Sequence, residues 1–242
     1  PPRPGRLGHV GDFNEMVYID CLEIADAHGT KHVGLSIVDD ATTFHVVALL
    51  QNVSAAHLAE VFEESWLRWA GTPSSIIFDQ QRGFGGRFRE ALERHGGILE
   101  IPIAGEAPWQ LGRGERHGGW WKELARRTID HANVNGAQEM RMCFAQVSGA
   151  KNALRRRCGF SPAQWVLGRD PPVPADLVDG GNDLGAHQRA LEPQVKRRLA
   201  IRTAAREGFV RMQDDDALRR AMLGRARPTA APFETGDVVF YF

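Results

Sequence analysis

Asp20 stands inside the apolar run "MVYIDCLEI", where a charge costs free energy unless it is paired, hydrogen-bonded or bound to a metal. Asp79 closes the short run "SSIIFD", at the C-terminal edge of a strand, where α/β folds commonly place their ligands. Glu115 lies in "APWQLGRGERHGGWWKEL", among tryptophan, arginine, lysine and glycine. Taken singly, each acid has an ordinary use: an aspartate at a strand end caps the next turn, and a glutamate near a helix start is a solvated charge. The set of three, with 35 residues between Asp79 and Glu115, has the composition of a catalytic group drawn from separate elements.

For such distant acids to act together, the elements carrying them must converge. "MVYIDCLEI", "KHVGLSIVDD" and "TTFHVVALL" are three consecutive strand candidates, close enough in sequence to form an antiparallel meander. Ser54 offers an N-cap to "AAHLAEVFEESWLRWA", whose Leu58, Val61, Phe62 and Trp66 recur at helical spacing, and Gly71 stands where a C-terminal glycine belongs. "SSIIFD" reads as a short buried strand, "RFREALERHG" as a helix and "ILEIPI" as a strand. Helices are expected from about Leu111 to Ala132 and from about Ala137 to Arg157. The order β-β-β-α-β-α-β-α-α is that of a mixed α/β layer fold.

Composition sets the frame. At 242 residues and 43% apolar content, the chain can bury one substantial core. No apolar run approaches the roughly 18 residues needed to cross a bilayer, and "PPRPGRLGHVGDFNE" lacks a signal-peptide pattern. The expectation is a soluble, intracellular protein with no membrane partner. Cys21, Cys143 and Cys158 are odd in number and far apart, which favours reduced thiols over a disulfide framework or a structural zinc site. Net charge is zero, yet the segment from His187 to Arg227 holds eleven basic residues against five acidic ones, so its distribution admits a nucleic-acid partner.

At these residues the chain resembles the retroviral and retrotransposon integrase catalytic core, whose acidic triad is Asp, Asp, then Glu 35 residues on. "VYIDCLEI" is similar to that family's first-strand motif, and "LSIVDDATTFHVVALL" to its second and third strands. "GTPSSIIFDQQRGF" is similar to the segment carrying the second aspartate, and "PWQLGRGERHGGWWKEL" to the Asn-Gly-x-x-Glu-Arg helix start followed by a lysine. "GFSPAQWVLGRDPPVPADL" looks like the segment that closes the core. The resemblance covers about Phe13 to Leu177 and implies a ribonuclease-H-like mixed sheet: a three-strand antiparallel meander plus two further strands, flanked by helices and followed by a C-terminal helical extension.

What the resemblance implies is specific. Asp20, Asp79 and Glu115 would gather around two Mg²⁺ (or Mn²⁺) ions as catalytic and metal-ligating residues. Without metal, three crowded carboxylates repel one another; Mg²⁺ turns that repulsion into ligation and leaves sites for phosphate oxygens and water. The implied activity is 3′-end processing of DNA and strand transfer into target DNA, by a polynucleotidyl transferase and endonuclease working in the nucleus as at least a dimer. Glu115, Gly119, Lys122 and Arg126 share one helix face, and Trp121, Leu124, Ala125 and Thr128 form the opposite, mostly apolar stripe. Arg113, Arg116, Lys122 and Arg126 are the expected DNA contacts of the core, and Lys196, Arg197 and Arg198 those of the basic segment. Gly118 and Gly119 weaken the first turns of that helix by up to about 1 kcal/mol each. Of the histidines only His117, two residues after Glu115, stands near this set.

Two positions depart from the family pattern. Gln81 replaces the glycine that follows the second aspartate by two residues, and Leu111 replaces the asparagine before the helix. Neither is a metal ligand. The departures favour, as alternatives, a decayed or domesticated core that binds DNA or a partner without catalysis, or a metal-dependent nuclease of the same fold. The expected organisation is an N-terminal linker (1–12), the integrase-like core (13–178), a basic helical linker (179–227) interrupted by Pro193, and at 228–242 the opening strand of the small β-barrel that follows the core in many integrases. Ten or so residues cannot complete a five-strand barrel, so the chain reads as a fragment.

Overall fold

The computed structural model describes residues 11–78, 84, 87–94, 99–102, 112–155, 159–169 and 192–223. β1 (Met16–Ala25), β2 (Lys31–Asp39), β3 (His45–Leu50), β4 (Ser75–Phe78) and β5 (Leu99–Pro102) form one sheet in the order β3-β2-β1-β4-β5. The first three are the antiparallel meander expected from the sequence; β4 adds parallel to β1 and β5 parallel to β4.

Two aspartates shape the meander's turns. Asp26 accepts hydrogen bonds from the backbone N–H groups of His28 and Thr30 at 3.0 and 2.9 Å, while Gly29 supplies a left-handed φ of 84° that costs glycine little. Its other oxygen meets His32 Nε2 at 3.0 Å and the Gly136 N–H at 3.1 Å. The His32 bond, with the backbone donors, holds the Asp26 carboxyl well below the usual range. At the second turn, Asp39 accepts from the Thr42 N–H and hydroxyl at 2.7 and 2.6 Å.

The helices are α1 (Ala55–Phe62), α2 (Arg68–Ala70), α3 (Arg87–Arg94), α4 (Gly112–Ala132), α5 (Gly136–Leu154), α6 (Pro162–Leu167) and α7 (Pro193–Leu223). Ser54 caps α1 as expected, its Oγ accepting from the His57 N–H at 3.4 Å. A π-helical turn over Glu63–Leu67 joins α1 to α2, and the segment stops at Gly71 with φ 80°. None of the described helices is long and apolar enough to cross a membrane.

Strand alternation divides β1 between two cores. Val17 and Ile19 pack with Leu58, Phe62, Trp66 and Phe88 on one face, whereas Leu22 and Ile24 pack with Trp121, Leu124, Phe144 and Val147 on the other. The sheet is thus a middle layer between α1 with α3 and α4 with α5. Gly34 permits the second packing, since a Cβ there would lie 2.6 Å from Phe144 Cε2 and 2.8 Å from Val47 Cγ1. Phe144 in turn meets Trp121 edge-on at 4.9 Å, so the ring has little room to retreat. Gly34→Ala is expected to destabilise the fold by about 1–3 kcal/mol through overpacking, measured as the shift in urea midpoint; an unchanged midpoint would contradict this packing.

The basic C-terminal helix belongs to the same core. Pro193 opens α7 rather than interrupting it, at a position where the missing N–H is harmless. Ile201, Ala205, Phe209 and Met212 of α7 join the α4 and α5 core, and Trp120 meets Phe209 edge-on at 5.0 Å. Arg197 clamps the start of the helix: it donates to both Glu139 oxygens at 2.8 and 2.6 Å and to the carbonyls of Ala132 and Asn133 at 2.7 and 2.9 Å.

Candidate active site

Asp20 lies in the middle of β1, half-buried, with Oδ1 accepting from the Cys21 N–H at 2.8 Å. It shares the α4 face of the sheet with Tyr18 and Leu22. Helix α4 crosses that face closely: a Cβ at Gly114 would lie 3.1 Å from Tyr18 Cβ, and one at Gly118 would lie 3.1 Å from Leu22 Cδ2. These glycines therefore let the helix approach β1 on either side of Asp20, a use that offsets their weak helix propensity. Glu115, in the first turn of α4, is exposed next to this contact line. Trp121, Leu124, Ala125 and Thr128 are fully buried, as their stripe predicts.

Asp79, Gln81 and Leu111 lie outside the described residues. Phe78, which precedes Asp79, is the parallel register partner of Ile19, which precedes Asp20. Among the described residues no three His, Cys, Asp or Glu side chains converge as a metal group. The donor types fit a hard cation nonetheless: a strand carboxylate, the next residue of a paired parallel strand, and a helix-start glutamate offer only oxygen, which Mg²⁺ and Mn²⁺ prefer.

The expected basic residues divide by setting. Arg116 is exposed, Lys122 half-buried and Arg126 exposed, with an Arg126 nitrogen 3.8 Å from Glu123; the Arg113 side chain lies outside the described residues. Lys196 and Arg198 are exposed on α7, and Arg197 makes the clamp described above. His117 is buried, and Arg155 Nη1 donates to its Nδ1 at 3.2 Å while the guanidinium lies 5.9 Å above the Trp120 ring.

Sequence reasoning missed a buried polar chain beside Asp20. Ser36 is the register partner of Asp20, so the two share a face. Ser36 Oγ meets His45 Nε2 at 2.8 Å, and Lys151 Nζ reaches His45 Nδ1. Asn152 fixes the histidine's backbone, accepting from its N–H and donating to its carbonyl, both at 2.9 Å. Lys151 and His45 are both fully buried. Burial pushes the lysine's pKa well below its usual value, with Arg155 adding to the effect; burial, then Lys151, His117 and Arg155, does the same to the histidine. The only signal in the sequence was Lys151 itself, a charge within the otherwise apolar stripe of Met140, Cys143, Phe144 and Val147.

With this geometry in place, the likeness to known proteins is informative. The chain is similar in fold to a chain of the simian T-cell lymphotropic virus intasome solved in complex with PP2A regulatory subunit B56 gamma, at TM-score 0.58 and 18% identity, over 72% of this chain and 61% of that one. It is also similar to the HTLV-2 integrase catalytic core domain in complex with magnesium, dimeric form, at TM-score 0.51 and 18% identity, over 63% of this chain and 95% of that one. No family model and no curated protein matches the sequence. The five-stranded mixed sheet between helices is the ribonuclease-H-like architecture. Within that class, the chain has the fold of a retroviral integrase catalytic core.

Proposed function

We propose that this chain is a retrotransposon-type integrase core that trims DNA ends and joins them to target DNA with Mg²⁺ or Mn²⁺. The observation that carries this reading is the register of the parallel strands: Asp20 and Asp79 each follow a member of the Ile19–Phe78 pair, on the strand that α4 crosses just beside Glu115. These three acids are the residues that would hold the metal. Two ions so held supply Lewis-acid stabilisation of the attacking and leaving oxygens in an in-line displacement at phosphorus.

The chain's own residues bind and orient the DNA. Arg116, Lys122 and Arg126 present cations beside Glu115 on α4, where phosphates of a bound end neutralise them; Lys196 and Arg198 extend the basic surface along α7. The attacking oxygen is first water, which trims the end, and then the 3′-hydroxyl of that end, which attacks the target strand. Joining two ends calls for at least two copies, and the similar HTLV-2 core was solved in a dimeric form.

Gln81 and Leu111 favour a second reading, in which the core retains DNA or a partner without chemistry. Labelled duplex ends incubated with the protein and Mn²⁺ or Mg²⁺ separate the possibilities. Shortened strands together with joined products support the integrase. Shortened strands alone point to a nuclease of the same fold, and retained but unaltered DNA points to the non-catalytic core. Replacing Arg116, Lys122 and Arg126 by alanine is expected to weaken DNA binding at low salt and to flatten its dependence on salt by about 0.9 in log–log slope per lost phosphate contact. Identical slopes for variant and parent would remove these residues from the DNA surface.

A further inference from the structure

At the β3 edge of the sheet, α5, α6 and α7 border an open cavity of about 210 Å³, lined by Phe44, Gln146, Ala163, Leu167, Arg202 and Arg206 among others. Arg202 and Arg206 are one helical turn apart on α7, so both cations project from one face of that helix. Arg206 is only 6% exposed, and among the described residues its guanidinium has neither a hydrogen-bond partner nor an acid. No acidic side chain is among the described residues that line the cavity. Burial, reinforced by the charge of Arg202, pulls the Arg206 pKa below its usual value. A buried guanidinium normally has its donors satisfied, because leaving them unmade is costly.

We propose that this cavity binds a small organic carboxylate, its charged end held by Arg206 and its apolar body seated against Phe44, Ala163 and Leu167. The guanidinium is the side chain best suited to this task, since its planar fork matches both carboxylate oxygens. The volume suits a single-ring acid: an engineered cavity of about 150 Å³ accommodates benzene. Gln146 offers an amide at the rim as a further polar contact. The site stands apart from the acidic residues on β1 and α4, and it does not depend on the DNA reading.

Benzoate is the probe, with benzyl alcohol as its uncharged counterpart and inorganic phosphate as an anion without an apolar body, all at constant ionic strength. Benzoate at about 100 times its Kd is expected to raise the melting temperature of the whole chain by roughly 5–10 °C; benzyl alcohol and phosphate are expected to do markedly less. Arg206→Met keeps an unbranched apolar stem and removes the guanidinium, and it is expected to raise the calorimetric Kd for benzoate at least tenfold. In buffer without benzoate the same variant melts at or above the parent's temperature, because it replaces a guanidinium that has no acid beside it among the described residues. Three results would overturn the proposal: no response to benzoate, an equal response in Arg206→Met, or a fall of several degrees in that variant without ligand, which would mean that an acid of this chain already holds the guanidinium. A phosphate response equal to that of benzoate would overturn the apolar half of the assignment.

Discussion

On the proposed integrase reading, Asp20→Asn and Glu115→Gln are each expected to lower DNA strand transfer by about 10³-fold or more, a loss of roughly 4 kcal/mol of transition-state stabilisation, while the protein stays folded. Asparagine keeps the oxygen that accepts from the Cys21 N–H and removes the charge that a divalent ion needs. Glu115 is exposed in the first turn of α4, so glutamine there disturbs no packing. The check is a gel assay of end processing and joining, paired with thermal melts of both variants. Strand transfer within tenfold of the parent, in either variant, would mean that the acid is not part of the metal-holding set.

The second large effect concerns Lys151. Its amine, whose pKa burial lowers well below the usual 10.5, is less protonated in the fold than in the unfolded chain across the range between the two values. The unfolded state therefore binds more protons, and stability rises with pH by up to about 1.4 kcal/mol per unit from this group alone, between its folded pKa and 10.5. Above 10.5 the contribution is complete, and it is lost as the pH falls. His45 acts with the same sign at lower pH, below its usual 6.5. Lys151→Met removes the slope, so urea unfolding at pH 7, 8, 9 and 10 is expected to give a flatter stability curve for the variant than for the parent. The methionine also removes a buried amine, an effect offset in part by the lost hydrogen bond to His45. Parallel curves would show that Lys151 stays charged in the fold.

Much of this architecture is legible in the sequence, for identifiable reasons. Three β-favouring runs close together in sequence mark the meander, Ser54 and Gly71 mark the ends of the first helical segment, and the stripe Trp121, Leu124, Ala125, Thr128 orients α4. The π-helical turn at Glu63–Leu67 has no sequence signature, since its residues are ordinary helix formers. Helix α7 was misleading in a different way. Its arginines dominate the composition, while the face that docks is made of Ile201, Ala204, Ala205, Phe209 and Met212, two of them alanines with weak hydrophobic signal. Arg197 likewise reads as a free basic residue until Glu139 and two carbonyls, some sixty residues away in sequence, come within reach.

The candidate site divides along the same line. The three acids stand out from local context and spacing, because a charge in an apolar strand is anomalous wherever the strand ends up. The Ser36–His45–Lys151 chain does not, because its partners are joined only by the pairing of β2 with β3 and the docking of α5 over 106 residues of separation. The glycines of α4 were open to misreading: their propensity cost is local and visible, whereas the contacts of Gly114 with Tyr18 and of Gly118 with Leu22 exist only once the helix crosses β1.

The most direct test of the central claim is calorimetry of Mn²⁺ or Mg²⁺ binding, with a duplex DNA end present, to the parent and to Asp79→Asn. Metal binding in the parent that disappears in the variant is the predicted result, because Asp79 would then complete a site with Asp20 and Glu115. Equal binding by both proteins would contradict the account, by placing the metal somewhere other than these three acids.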